Sequence, residues 1–482
     1  MTPRARLTYA VFYRALLVSA RRLEEAHIEQ GQVVAICVQS HALHCVLLAA
    51  LDRLGVVSIS LNPPKRAGET IDAPEGVRID RFLIEPPFMG VTPANSLSVG
   101  LEWLKPPGNE TPDLKSPGFR DEHAMMRILT TSGTTGMAKA IGFSSRQWES
   151  RVLLYSVGLL AEGRSGPTIS LFGVASAGGF RIALETFWAG GTLFLGWPAE
   201  SIAEVISQNK IVRAYGSPAT YQSVVERSNP DLFDLSSLRY ALATGSVTSA
   251  PLVAAIRRKF CRTYLVLYGS TEMGMVSYGV ATPNQASGSS GVLVPWVQAQ
   301  AVNEEGKVMP PGVEGMLRFR SEDMVTSYLN DPKASAEHFR DSWFYPGDLG
   351  VISETRTLTI TGRSNERINA GGVKTSPERI EDVITAYDGI AECAAFGVPD
   401  AGGVDQIFVA IVANAPVDLD GLRTYCAAKL GPRAPKRFLK VAKLPRNENG
   451  KILRSELADL ARRGEIEALS AGGSSNGERH TR

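Results

Sequence analysis

Residues 32 to 61 place the strongest constraint on the fold: two apolar, β-branched runs with one capped helical segment between them. The first run, "QVVAICVQ", reads as a buried strand. Ser40 can cap the next segment, "HALHCVLLAALDRL", and Gly55 is a good stop for it. "VVSISL" is then a second strand. Strand, helix and strand in so short a span make a βαβ unit, which requires a parallel pair joined by a crossover. The alternation returns in "GTLFL", "VRAYGSP", "LRYALATGS" and "TYLVLYGST", with helical patterns between them. The expected fold class is α/β, with helices on a mostly parallel sheet.

Composition narrows the setting. At 482 residues the chain exceeds one simple domain. A chain 44% hydrophobic and 21% charged suits a soluble globular protein, and a net charge of +2 gives no reason to expect nucleic acid or a membrane surface. Cys37, Cys45, Cys261, Cys393 and Cys426 are odd in number and form no C-x-x-C pair. They point to reduced, mostly buried thiols in a cytoplasmic protein. The N-terminus lacks the apolar segment and cleavage site of a secretory signal. The longest apolar stretch, "HCVLLAALDRLGVVSISL", carries Asp52 and Arg53 and breaks at Gly55, so no membrane span is expected.

Residues 62 to 123 are rich in proline and glycine and show no clear period. From about 312 the texture changes to shorter strands such as "EGMLRFR" and "RTLTITGR". A marked helix follows, with Ser376 as N-cap and Pro377 at its first position. Ile380, Val383, Ile384 and Tyr387 fall on one face of it, and Gly389 is expected to close it. "AECAAFGV" and "QIFVAIVA" complete what reads as a small α+β domain with its own core. The expected organisation is a large N-terminal domain over residues 1–361, a small mobile C-terminal domain over 362–468, and a polar, disordered tail over 469–482.

Five stretches carry candidate chemistry. In "LTTSGTTGMAKAIGF" (129–143), seven small hydroxylated or glycine residues precede Lys139. Exposed N–H groups in such a loop can form a nest for an anion, and the lysine adds a point charge for phosphate. Alone, the stretch also reads as a flexible linker. It is not the usual P-loop, because Met137 and Ala138 intervene before Lys139. "YGSTEMG" (268–274) puts Tyr268, Thr271 and Glu272 at the carboxyl end of a strand, where ligands of open α/β sheets bind. A tyrosine can stack on a flat base and a carboxylate beside phosphates can hold Mg²⁺, although a plain surface turn is the alternative.

"YPGDLG" (345–350) presents Asp348 after a Pro-Gly turn, suited to paired sugar hydroxyls but equally an ordinary turn residue. "TGRSNERINAGGVK" (361–374) offers Arg363 for ribose or phosphate and Gly371 and Gly372 for close backbone approach, or is simply an interdomain turn. "LPRNENGKILR" (444–454) places Lys451 at a loop tip, where a lone lysine is usually solvated.

Together, and in this order, "TTSGTTGMAK", "YGSTE", "GD", "GR…GG…SPERIE" and "PRNENGK" resemble the adenylate-forming superfamily of acyl-CoA synthetases, peptide-synthetase adenylation domains and firefly-type luciferases. The resemblance runs from "LTYAVFYRAL" to "GKILRSEL" and leaves out only 62–123 and the tail. It implies that the loop of Thr131, Ser132, Gly133, Thr134, Thr135, Gly136 and Lys139 embraces the β- and γ-phosphates of ATP. It implies Tyr268 against adenine, with Gly245, Ser246, Gly269 and Ser270 nearby. Thr271 and Glu272 would organise phosphates and Mg²⁺, Asp348 and Arg363 would take the ribose, and Lys451 would bridge the carboxylate and the α-phosphate. Asn365 falls at the hinge, Gly371 and Gly372 at the channel for coenzyme A, and Phe172, Gly173 and Gly178 at the acyl pocket.

Several positions depart from the family pattern. Ala138 stands where proline is usual, Ala140 where glycine is, Met316 where glutamate is frequent, and Asn365 where a charged hinge residue is common. Gly173 replaces an aromatic residue or histidine and suggests a roomy pocket. The leading expectation is an acid–CoA ligase acting on an apolar aliphatic or aromatic acid, with ATP, Mg²⁺ and coenzyme A. The alternatives are a standalone enzyme that loads an acyl or peptidyl carrier protein, and a degenerate nucleotide binder without turnover. His41 and His44, three apart on one helix, are read as packing residues rather than metal ligands. Arg181 suits a second substrate carboxylate, but the favoured reading is a solvated arginine.

Overall fold

The computed structural model describes residues 1–3, 5–64, 66–88, 90–105, 117–131, 139–161, 166–285, 288–329, 331–370, 373–400, 404–446 and 452–469. After an N-terminal helix α1 (Tyr9–Glu25), the βαβ unit forms where its pattern lies: β1 (Val33–Cys37), α2 (His41–Leu54) and β2 (Val57–Ser60). Ser40 Oγ accepts from the Leu43 N–H at 3.3 Å and caps α2. Gly55 ends the helix at φ 67°, a conformation in which a Cβ would also strike the Gly118 carbonyl at 1.8 Å. β1 and β2 pair in parallel, as the crossover requires.

The stretch without a period supplies two short parallel strands to the same sheet, β3 (Arg81–Ile84) and β4 (Ser96–Ser98). β5 (Met125–Thr131) joins β2 in parallel, and β6 (Lys139–Ser144) returns antiparallel at the edge, giving the order β4-β3-β1-β2-β5-β6. The four later runs become β8 to β11 of a second sheet. Its parallel half is β8-β7-β9-β10-β11, with β7 (Thr168–Ser170), β8 (Leu193–Leu195), β9 (Arg213–Gly216), β10 (Tyr240–Thr244) and β11 (Tyr264–Ser270). β12 (Gly274–Val280) turns back against β11 and leads into antiparallel strands that include Asp348–Ile352 and Thr357–Arg363.

Helices α3 (Ser145–Ala161) and α4 (Ala177–Trp188) lie between the sheets. Leu47, Leu51, Phe143, Trp148, Phe180 and Tyr215 share the core that ties the two sheets together. His44 is buried at that interior, with Nε2 2.8 Å from Ser60 Oγ. All five cysteines are buried and free.

The C-terminal part has its own three-stranded sheet, in which Asp405–Ala413 pairs antiparallel with Ile390–Pro399 and parallel with Arg437–Lys440. Alternation along Ile390–Pro399 divides two cores. Cys393 and Ala395 pack with Ile380, Ile384 and Leu422, while Ala394 and Phe396 pack with Leu439 and Leu457. The helix predicted to begin at Pro377 does so, but the Ser376 side chain makes no capping bond. It ends at Thr385 rather than at Gly389, which instead takes φ 85° in the turn before Ile390. The fold is α/β, a large N-terminal domain with a small α+β domain after it, but the expected mostly parallel sheet is mixed: the parallel strands around β1 and β10 continue into antiparallel strands at β6 and from β12 onward.

Candidate active site

The carboxyl ends of β10 and β11 open into a cleft of about 3040 Å³ that residues of both domains line. Ligands of open α/β sheets bind at this kind of edge. Gly245 and Ser246 leave β10 here, with Gly245 at φ 100°. Tyr268, Gly269 and Ser270 end β11, and Thr271 and Glu272 form the turn into β12. That turn is held from behind. Arg151, buried on α3, donates from Nη1 to the Thr271 carbonyl at 3.0 Å and from Nη2 to the carbonyls of Glu272 at 2.9 Å and Asp323 at 3.0 Å.

The Glu272 carboxylate is buried and accepts from the Tyr328 hydroxyl at 2.8 Å through Oε1. Burial, reinforced by the negative charge of Glu272, pushes the Tyr328 phenol far above its ordinary range. Among the described residues, no group of three or more His, Cys, Asp or Glu side chains converges to hold a metal ion. The single carboxylate of Glu272 would suit Mg²⁺ only if a phosphate lay beside it, since Mg²⁺ is commonly held by one or two carboxylates together with substrate phosphates.

Asp348 and Arg363 stand opposite each other across two antiparallel strands. Arg363 Nε meets Asp348 Oδ1 at 2.7 Å, and Nη1 donates to the Pro346 carbonyl at 2.9 Å. The Tyr268 hydroxyl donates to Asp348 Oδ2 at 2.5 Å. Burial is the largest influence on Arg363 and would lower its pKa, but the acidic groups around it, Asp348 first and then Tyr268, Glu366 and Glu272, together leave it raised.

Thr131 ends β5 directly opposite Lys139 at the start of β6. Ser132, Gly133, Thr134, Thr135 and Gly136 lie outside the described residues, as do Gly371, Gly372 and Lys451. Lys139 Nζ is 2.8 Å from His338 Nε2 and 4.7 Å from the Tyr328 ring centroid. An ammonium only donates, so His338 accepts through Nε2 and carries its proton on Nδ1, which donates to the Tyr345 carbonyl at 2.8 Å. Asn365 lies in a short helical turn, Ser364–Glu366, on the wall of the cleft.

Phe172, Gly173 and Gly178 line the far side of the cleft. The space beside Gly173 is not empty. A Cβ there would lie 3.2 Å from His41 Cε1, so a ring from α2 occupies part of the volume that the missing side chain leaves. Gly179 is required for another reason: its Cβ would meet the Gly173 carbonyl oxygen at 2.1 Å. The favoured reading of Arg181 as a solvated residue is overturned. Its side chain is only 13% exposed, it is ion-paired with Glu185, and it lies on the cleft wall beside Tyr155.

Four residues that touch these groups escaped the sequence reading: Arg151, Tyr328, His338 and Tyr155. None lies in a recognisable motif, and each reaches the site from a segment distant in sequence. The nearest thing to a signal was a histidine in the polar run "DPKASAEHF". Among the described residues, no helix is long and apolar enough to cross a membrane.

Comparison with known proteins bears on the family and the fold. The family described as "AMP-binding enzyme" matches residues 2–329, and "AMP-binding enzyme C-terminal domain" matches residues 379–451. A feruloyl-CoA synthase from Amycolatopsis sp. is 28% identical over 467 residues, covering 94% of this chain and 93% of its own. A 4-chlorobenzoate–CoA ligase from Arthrobacter sp. is 27% identical over 482 residues, covering 94% and 90%. The fold is similar to that of ATP-bound MatB from Rhodopseudomonas palustris, with a TM-score of 0.81 and 21% identity over 96% of this chain and 95% of that one. With the first family match extending over most of its length and the second over its C-terminal part, the chain belongs to the AMP-binding enzyme family.

Proposed function

We propose that this protein is an AMP-forming acid–CoA ligase, which joins a carboxylic acid to ATP and then passes the acyl group to the thiol of coenzyme A. The observation that carries the reading is the meeting of Lys139, Glu272 and the Asp348–Arg363 pair on one cleft at the carboxyl edge of a parallel sheet. Similarity over nearly the whole chain to proteins named as acid–CoA ligases supports it.

In this reading the acid's carboxylate oxygen attacks the α-phosphorus of ATP. The bond from that phosphorus to the β-bridging oxygen breaks, and pyrophosphate leaves. No general base is needed, because a carboxylic acid is already ionised near pH 7. The obstacle is repulsion between two anions. Lys451 offsets it at the α-phosphate, and Lys139 with the preceding loop offsets it at the outer phosphates. Mg²⁺, held by Glu272 together with the phosphates, would supply further charge neutralisation. Tyr268, Gly245 and Ser246 receive the adenine, and Asp348 with Arg363 receives the ribose. The thiol of coenzyme A then attacks the acyl carbon, loses its proton, and displaces AMP. A turn at Asn365 would exchange Lys451 for the channel beside Gly371 and Gly372.

The test is pyrophosphate release with ATP and Mg²⁺ across a panel of carboxylic acids, with and without coenzyme A. Turnover with one class of acid, stimulated by coenzyme A, is the expected result. Release that halts near one equivalent with or without coenzyme A would transfer the acceptor role to a carrier protein. Silence across the panel would overturn the ligase.

A further inference from the structure

Helix α4 sets Gly178 and Arg181 one turn apart, both on the cleft wall. Gly178 leaves the way past it open, since the nearest atom to an added Cβ is Phe172 Cδ2 at 3.9 Å. Beyond it, Arg181 Nη1 donates to Glu185 Oε1, and the Glu185 side chain is 3% exposed. Among the described residues Glu185 is the sole acceptor for this guanidinium, which leaves Nε and Nη2 without one.

Further donors surround the same space. Arg181 Cζ lies 4.9 Å from the Tyr155 ring centroid. The Tyr155 hydroxyl accepts from the Met275 N–H at 2.5 Å, and among the described residues its own proton has no acceptor. Arg151 and Trp148 also line the cleft, but Arg151 Nε and Trp148 Nε1 are buried away from it, so Arg181 and Tyr155 are the donors left to a ligand. A Cβ built on Gly274 would meet Tyr155 Oη at 2.3 Å and Arg151 Nε at 3.5 Å, so those two atoms flank one point. A ligand oxygen at this wall would accept from Arg181 and Tyr155, and a hydrogen bond to a charged donor is worth more than one to a neutral donor.

We propose that the acid activated here carries a neutral oxygen acceptor (a ketone, ether or hydroxyl) remote from its reacting carboxylate, and that Arg181 and Tyr155 receive it. The proposal rests on the ligase reading and replaces the apolar acid expected from sequence. A neutral group suits the site better than a second carboxylate. Glu185 already balances the charge of Arg181, and a second anion would enter a low-dielectric space beside the Glu185 carboxylate. Arg151 is committed through Nη1 and Nη2 to three backbone carbonyls.

The experiment compares matched acids by pyrophosphate release with the full chain, ATP and Mg²⁺. One set is heptanoate, 6-oxoheptanoate and heptanedioate; the other is 4-ethylbenzoate, 4-methoxybenzoate and terephthalate. In at least one set the oxygenated monoacid should exceed its hydrocarbon partner tenfold or more in kcat/KM, and exceed the diacid as well. Arg181→Met combined with Glu185→Met removes both members of the ion pair together and should bring that ratio toward one, while Arg213, which also faces Glu185, keeps its hydrogen bonds to Thr168 and Gly166. Arg181→Lys keeps the ion pair but loses the fork of donors, and should lower the ratio severalfold. Because every ratio is taken within one protein, a general loss of folded enzyme does not imitate the effect. Equal kcat/KM for the monoacids in wild type, or a preference that survives the double substitution, overturns the proposal and leaves the ligase standing. Preference for a diacid overturns the neutral acceptor. Absence of release with all six acids removes the ligase reading and this inference with it.

Discussion

Tyr268 and Asp348 form one hydrogen-bonded unit, hydroxyl to Oδ2 at 2.5 Å, so the side chains assigned to adenine and to ribose hold each other in place. Arg363 closes the unit on Oδ1. Asp348→Ala should therefore raise the KM for ATP by about 10- to 100-fold, because a hydrogen bond to a charged group contributes roughly 1.5–3 kcal/mol. Tyr268→Phe keeps the ring and removes only the brace, so its increase should be smaller. An ATP KM unchanged in Asp348→Ala would take this carboxylate out of the site.

Lys451→Ala should abolish pyrophosphate release while thioester formation from preformed acyl-adenylate survives. The two half-reactions are assayed separately on one preparation. Equal loss of both would assign the lysine to something other than the first step.

Glu272→Gln retains an oxygen for the Tyr328 hydroxyl but removes the charge that faces the phosphates. The Mg²⁺ concentration for half-maximal pyrophosphate release should rise by at least the about tenfold that changes to a ligand's hydrogen-bonding partners cost. A Mg²⁺ titration that overlays wild type would place the metal elsewhere.

Glu378 gives the C-terminal domain a pH signature. Burial pushes its carboxyl from 4.5 up to about 7, against the pull of Arg454 and with help from Glu381, and its Oε2 lacks a partner among the described residues. A carboxyl raised in the folded state binds its proton more tightly folded than unfolded, so stability falls as pH rises from about 4.5 to about 7. The penalty is complete above that window and absent below it. Glu378→Gln should accordingly raise the Tm at pH 8 and leave it near wild type at pH 4.5. A gain of equal size at both pH values would mean that ionisation is not the cause.

Gly179→Ala and Gly178→Ala separate packing from pocket on adjacent positions. The first forces a Cβ to 2.1 Å from the Gly173 carbonyl oxygen, an overpacking that costs about 1–3 kcal/mol and lowers Tm by several degrees. The second finds its nearest neighbour at 3.9 Å, so Tm should hold while selectivity among bulky acids shifts. Equal melting temperatures for both variants would contradict the close approach.

The sequence made legible whatever was written locally. β1, α2 and β2 could be read because β-branched runs, a serine cap and a glycine stop sit side by side. β3 and β4 could not, since strands of four and three residues show no period and exist only through pairing with β1 and each other. The same division runs through the site. Tyr268, Glu272, Asp348 and Arg363 stood in motifs and meet on one cleft. Tyr328 and His338 are partners by tertiary contact alone, and nothing near them in sequence names Glu272 or Lys139. Arg181 was misjudged although its partner Glu185 stands four residues on in the same helix, because the pair looks like a solvated i,i+4 pair until α4 is packed against α3 and buries it.

His41 and Gly173 share a single volume, one supplying the ring and the other the vacancy. The two positions are therefore expected to vary together among relatives. A chain that restores a histidine or aromatic side chain at 173 must shrink residue 41, and a chain with glycine at 173 can afford a ring at 41. Gly196 does not join that exchange: its φ of 70° keeps it a glycine whatever stands at 41, although a Cβ there would also lie 2.4 Å from the imidazole. Position 173 read alone would therefore miss the ring that already stands beside it.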